Sequence, residues 1–129
     1  MLGFLLYPRR RIIYVECYKP AGPWSPLVNV CHVEKWEDPC PFWDDDGQAY
    51  LGRSIHGAGP IIIHKMSPDG TKLLDEGRTV YTGPVAEGTK IHKINGYYYL
   101  SIPEGGVSEG WQTILRSKTY MVHMKKKLF

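Results

Sequence analysis

Two acids carry the chemistry this sequence offers. Asp38 opens the run DPCPFWDDDGQAYL, residues 38–51, and Glu87 opens EGTKIHKINGYYYL, residues 87–100. Sliding the chain past itself by 49 positions (87 minus 38) lays one run on the other. Asp38 then meets Glu87, Asp46-Gly47 meets Asn95-Gly96, and Tyr50-Leu51 meets Tyr99-Leu100. An acid, a spacer, a turn and an aromatic-leucine strand occur twice, in the same frame. If equivalent positions of two such units face one axis, the two carboxyls share a pocket. Paired carboxyls are what cleavage of a glycosidic bond requires: one donates a proton to the leaving oxygen and another activates water. Crowding of acids raises the proton affinity of one of them, which keeps a donor protonated near neutral pH. The plainer reading stays open at both positions, because an acid before Pro39 or Gly88 also serves simply to start a turn.

The elements that must position these acids read as strands. RIIYVECY, LVNVCHV, QAYLGRS, PIIIHKMS, RTVYTG, KIHKI, YYYLSI and TILRSK are short, β-branched or aromatic, and bounded by turn residues. Asp46-Gly47, Asp69-Gly70 and Asn95-Gly96 supply the positive φ angles of tight hairpins. PAGPWSP holds three prolines and predicts a loop or an edge. No twelve-residue window carries a helical stripe. The expected class is all-β, built from antiparallel hairpins, and a repeat of this length made of hairpins predicts the blades of a propeller.

Composition bounds the rest. The 129 residues, 43% hydrophobic and 22% charged, suit one modest domain, and a net charge of +3 does not argue for nucleic acid. Lys125, Lys126 and Lys127 form a basic cluster beside the C-terminus and predict a solvated tail. Cys17, Cys31 and Cys40 have neither metal-like spacing nor an even count, so reduced, partly buried thiols in a cytoplasmic setting are expected. The opening MLGFLLYPRRR is too short in its apolar run for a signal peptide or a membrane span. The DDDG at 44–47 lacks the alternation of a calcium loop and predicts a solvated hairpin tip. The glycine-rich EGGVSEG opens no predicted helix and is no phosphate cradle. Trp36 and Trp111 are candidates to stack on a sugar ring, core packing being the alternative for each, whereas Trp43 predicts core. His64 and His92 predict packing or hydrogen bonding. Arg53 and Arg116 are weaker candidates to pair with a carboxylate near the acids.

The runs WEDPCPFWDDDGQAYL and EGTKIHKINGYYYLSIPEGG resemble two blades of glycoside hydrolase family 43, and PAGPWSPLV is similar to that family's inter-blade segment. The resemblance runs from about residue 12 to residue 119. It implies a five-bladed β-propeller of antiparallel four-stranded blades, here a partial one, with blade-like repeats near 36–85 and 86–119 and atypical ends at 1–11 and 120–129. It implies a β-xylosidase or α-L-arabinofuranosidase type of activity on xylose- or arabinose-containing oligosaccharides, with inversion. By motif, Glu87 matches the general acid and Asp38 the aspartate that tunes its pKa. Neither a metal nor another cofactor is implied.

The family's general base lies in its first blade. The opening eleven residues here hold no Asp or Glu, and Glu16 and Glu34 stand in a different context. A truncated or fragmentary propeller is therefore expected, incomplete as an isolated catalyst. Its exposed blade faces predict marginal stability and self-association. The oligosaccharide is the expected partner, with neither nucleic acid nor membrane. Non-catalytic sugar binding and a purely structural β fragment are the other function classes.

Overall fold

The structure, a computed structural model, describes residues 2–6, 11–17, 19–119 and 125–127, with side chains omitted at 2–6, 11, 13–15, 17 and 125–127. Cys17 and the three C-terminal lysines therefore lie outside the described side chains. Three antiparallel sheets follow one another along the chain. The first holds β1 (Leu2–Leu6), β2 (Arg11–Cys17) and β3 (Val28–His32) in that order. The second holds β4 (Trp36–Trp43), β5 (Ala49–Ile55), β6 (Pro60–Met66) and β7 (Arg78–Thr82). The third holds β8 (Lys90–Ile94), β9 (Tyr97–Glu104), β10 (Trp111–Ser117) and β11 (Lys125–Lys127). Each sheet is an up-and-down meander, and the first strand of each lies against the first strand of the next: β1 touches β4, and β4 touches β8.

Two apolar layers bind the sheets face to face. Between the second and third sheets lie Cys40, Ile61, Ile63, Ile91, Leu100, Ile102 and Leu115, all buried. Between the first and second lie Ala49, Leu51 and Met66, with Val30, Trp36 and Trp43 packed on them. Successive residues of a strand point to opposite faces, so β5 serves both layers: Leu51 faces one way, while Gly52 faces Thr89 and Ile91 in the other. A Cβ on Gly52 would stand 3.2 Å from Ile91 Cδ1, so the missing side chain is what lets the third sheet close on the second.

The expected strands form, and three more appear. β4 carries Pro39 and Pro41, which argue against a strand. It tolerates them because it is the first strand of its sheet, paired on one side only, and because a bulge between Glu37 and Cys40 takes Pro39 out of register. β1 and β11 are the others. β11 pairs with β10, so the backbone of the lysine run is part of a sheet rather than the expected solvated tail.

The turns differ in kind. Asn95 (φ 49) and Gly96 (φ 75) make the two-residue hairpin that the sequence predicts. At Asp46-Gly47 only the glycine is left-handed, within a longer loop. At Asp69-Gly70 the chain does not return at once, because residues 67–77 intervene before β7. The EGGVSEG segment contains a single helical turn, α1 (Gly106–Glu109), where the sequence predicts loop.

Candidate active site

The site begins with the irregular start of β4. Lys35 and Asp38 both sit at positive φ, 58° and 52°, a region that costs a residue with a Cβ roughly 1–2 kcal/mol. The bulge at Glu37–Cys40 breaks the strand's alternation. In a regular strand Glu37 and Asp38 would point to opposite faces. Here both carboxyls reach one place, together with that of Glu87, and an oxygen from each lies within 4.8 Å of the others. The two acids expected to converge do so, and Glu37 joins them as a third that alternation alone conceals.

Asp38 is fixed from both sheets. Its Oδ2 accepts a hydrogen bond from Ser54 Oγ on β5 at 2.9 Å and another from the Gly88 N–H at 2.9 Å. Gly88 stands at φ 57, a conformation glycine adopts without penalty, and in it the N–H meets the carboxylate. Glu87 is thereby held next to Asp38 through its neighbour in the chain.

The segment that carries Glu87, residues 83–89, is pinned along its length. Gly59 N–H donates to the Ala86 carbonyl (3.1 Å), Gly83 N–H to the Gly59 carbonyl (3.2 Å) and Glu87 N–H to the Pro103 carbonyl (3.2 Å). Below it, Glu104 is 2% exposed; its Oε1 accepts from Tyr81 Oη at 2.8 Å and from Thr113 Oγ1. Its Oε2 has no hydrogen-bond partner among the described residues and lies against Gly83, where a Cβ would come within 2.1 Å of it. Tyr81 ends the second sheet and Thr113 belongs to the third, so this buried carboxylate joins the two beneath the site. Burial, and then the Glu104 carboxylate, push the Tyr81 phenol up.

At the other end of the same strands a second clamp closes. Asp44 accepts from Lys93 Nζ on β8 (2.5 Å) and Tyr98 Oη on β9 (2.5 Å), and Asp45 reaches Lys93 at 2.7 Å. The Asp44 side chain is only 9% exposed, which departs from the expected solvated tip at this one residue, while Asp45, Asp46 and Gly47 are exposed as expected. Burial would raise its carboxyl, but the Lys93 ammonium, the Tyr98 hydroxyl and the Asp45 N–H outweigh that and hold it below its ordinary value. Sequence patterning missed this because both partners lie about fifty positions further on.

Trp36 faces the first sheet, away from the Ser54 and Gly88 partners of Asp38. The Arg53 guanidinium lies 3.7 Å from its ring centroid, and the His64 ring stacks at 4.8 Å. Arg53 Nε donates to His64 Nε2 at 3.0 Å, too short a bond to pass through the indole, so both groups occupy one face of it. A cleft of about 390 Å³ opens beside Trp36, His64, Cys31 and Asp75. Arg53 therefore serves Trp36 and His64 rather than a carboxylate, and Arg116 lies over Tyr97, 4.6 Å from its ring. Neither makes the expected ion pair with a carboxylate among the described residues. Arg53 Nη1 is buried without a hydrogen-bond partner among the described residues, and burial draws its guanidinium down to about 10. Trp111 is 49% exposed at the start of β10, opposite Glu104, at the same end of the third sheet as Glu87. His92 is exposed on β8 and His64 is buried and hydrogen-bonded. Cys31 and Cys40 are free thiols, both raised by burial.

Comparison with known proteins agrees with this arrangement. The family model described as glycosyl hydrolases family 43 matches residues 4–127. A protein of Xylanibacter ruminicola that bears a beta-xylosidase name is 73% identical over 99 residues, covering 77% of this chain and 19% of its own. A beta-xylosidase of Formosa agariphila is 41% identical over 95 residues, 64% of this chain and 16% of its own. Among solved structures, a family 43 protein of Bacillus licheniformis superposes with a TM-score of 0.77 at 26% identity, over 91% of this chain and 23% of its own. The chain thus spans about a fifth of the length of the curated relatives it matches, and its sheets are part of a β-propeller.

Proposed function

The chain belongs to glycosyl hydrolase family 43, and from that membership we propose that it contributes two acids to an inverting glycosidase acting on xylose- or arabinose-containing oligosaccharides. Glu87 is the general acid that protonates the leaving oxygen. Asp38 is the neighbouring carboxylate that positions and tunes it. Trp111, exposed at the same end of the third sheet, is the aromatic surface for the sugar, while Trp36 is committed to packing by Arg53 and His64.

The observation that carries this reading is the convergence of Asp38 and Glu87 within 4.8 Å across two sheets. The same distance separates their roles. An inverting pair stands about 6.5–9.5 Å apart, leaving room for the sugar and the attacking water. Asp38 and Glu37 are both too near Glu87 to act from the opposite face of the ring, so neither is the base. Each four-stranded sheet brings one acid to the axis at or just before its first strand. We place the base in the family's first blade, outside the described residues. Without it, hydrolysis falls by about 10²- to 10⁴-fold.

That deficit favours a second reading for the chain by itself, as a sugar-binding fragment without turnover. Titrating xylo-oligosaccharides into the chain while following reducing-sugar release tests both. Binding is expected, with feeble release or none. Glu87→Gln is expected to abolish release in any assembly that shows it; unchanged release overturns the acid assignment. A chain that binds no sugar overturns the carbohydrate reading.

A further inference from the structure

Glu37 takes no part in the chemistry assigned to Asp38 and Glu87, yet its carboxyl stands with theirs. It is also held there. The His56 ring, in the turn after β5, meets Glu37 Oε1 through Nδ1, and the His56 N–H donates to the Lys35 carbonyl at 2.8 Å, which ties the turn to the start of β4. The His56 side chain is 74% exposed and that of Glu37 31%. An ion pair this open adds little to stability. Three carboxylates crowded together repel one another when ionised, so the fold gains nothing from a third acid here. What the arrangement provides is an acceptor. Among the described residues the Ser54 and Gly88 bonds engage Oδ2 of Asp38 and the His56 contact engages Oε1 of Glu37, so Glu37, like Asp38, keeps an oxygen that can accept. A carboxylate accepts and never donates, and a sugar hydroxyl is a donor; the hydrogen bond between them is of the strong, charge-assisted kind.

We infer that Glu37, held in place by His56, accepts a hydrogen bond from a ring hydroxyl of the sugar that enters beside Asp38 and Glu87. Glu37 is then a specificity residue that touches substrate, and His56 is a positioning residue that acts through it. This rests on the glycosidase reading above and adds a named contact to it.

Calorimetric titration of the chain with xylobiose, and with analogues each lacking one hydroxyl, tests the contact. Glu37→Ala should weaken xylobiose binding roughly tenfold or more. One deoxy analogue should lose the same factor with the parent chain and lose nothing further with Glu37→Ala, a coupling that a merely structural role would not produce. His56→Ala should weaken binding by less, and His56→Asn, which keeps a donor, should restore part of it. Should Glu37→Ala fail to melt cooperatively, Glu37→Gln replaces it, with an intermediate loss expected for the same single hydroxyl. Unchanged affinity in Glu37→Ala overturns the inference and leaves the glycosidase reading intact. So does a loss shared equally by every analogue, or binding abolished by a chelator, which would put a cation between Glu37 and the sugar. A parent chain that binds no xylobiose overturns both.

Discussion

Asp38 and Gly88 are fifty positions apart in the chain, and the N–H of one lies 2.9 Å from the carboxylate of the other. The acid we place beside the proton donor is thus also a fastener between two sheets. Its second partner, Ser54, sits on its own sheet, so the carboxylate has one bond on each side of the seam.

Removing that carboxylate should cost stability as well as chemistry. Asp38→Ala strands the Ser54 hydroxyl and the Gly88 N–H, and a loss of about 1–3 kcal/mol in urea unfolding is expected. Asp38→Gly strands the same donors but relieves the positive φ of 52°, so it should cost about 1 kcal/mol less than the alanine variant. Equal losses would mean that the backbone there is unstrained.

Gly83 and Glu104 should be coupled. Alanine at 83 drives a methyl group to 2.1 Å from Glu104 Oε2, and neither the buried acid nor the pinned segment 83–89 has room to yield. A loss of about 2 kcal/mol or more is expected for Gly83→Ala. Adding Glu104→Ala should return at least about 1 kcal/mol of it in a double-mutant cycle. Additive losses would show that the glycine serves another purpose.

His64 should make stability fall as the solution becomes acidic. Arg53 Nε can only donate, so His64 Nε2 must accept; the ring is neutral and its Nδ1 proton points to the Asp75 carbonyl, 3.3 Å away. Burial holds its pKa below the ordinary 6.5, with the Arg53 charge adding to the effect and the Asp75 and Glu76 contacts opposing it. Below pH 6.5 the unfolded chain takes up a proton that the folded chain resists. The contribution is therefore complete above pH 6.5 and is lost as pH drops toward the lower folded value. Urea midpoints between pH 7.5 and 5.5 should decline more steeply for the parent than for His64→Gln, whose side-chain oxygen still accepts from Arg53. Parallel curves would refute the assignment.

The two tryptophans should separate cleanly. Trp36→Ala removes a ring packed against Leu51 and Met66 and lying against Arg53, and should destabilise the chain by about 3 kcal/mol. Trp111→Ala, at a half-exposed ring, should cost less than about 1 kcal/mol in urea unfolding and appear instead as weaker sugar binding. The reverse pattern would exchange their roles.

The acids and the hairpins that carry them were legible in the sequence because the two units repeat in one frame, and Asn95-Gly96 turns as its residue types require. The frame survives in space although the pairings differ by one: Pro41 faces Leu51, while Ile91 faces Leu100. The bulge near Asp38 absorbs the difference, and nothing in a periodic pattern announces a bulge. The same irregularity hid Glu37 beside its neighbour, and the prolines of β4 disguised the strand that holds both. Asp44 read as a solvent-facing charge because its burial depends on Lys93 and Tyr98, on the next sheet. Local chemistry shows in local sequence; contacts across the seams between sheets do not.

β1 hydrogen-bonds to β2, and no other described strand pairs with it. An edge of this kind is a rail of amide donors and carbonyl acceptors, to which an extended peptide adds through its backbone. Adhesion of that sort is indiscriminate and obeys mass action, so it strengthens with crowding of copies and dissolves on dilution. Such a rail is a ready coupling point for a grafted peptide strand.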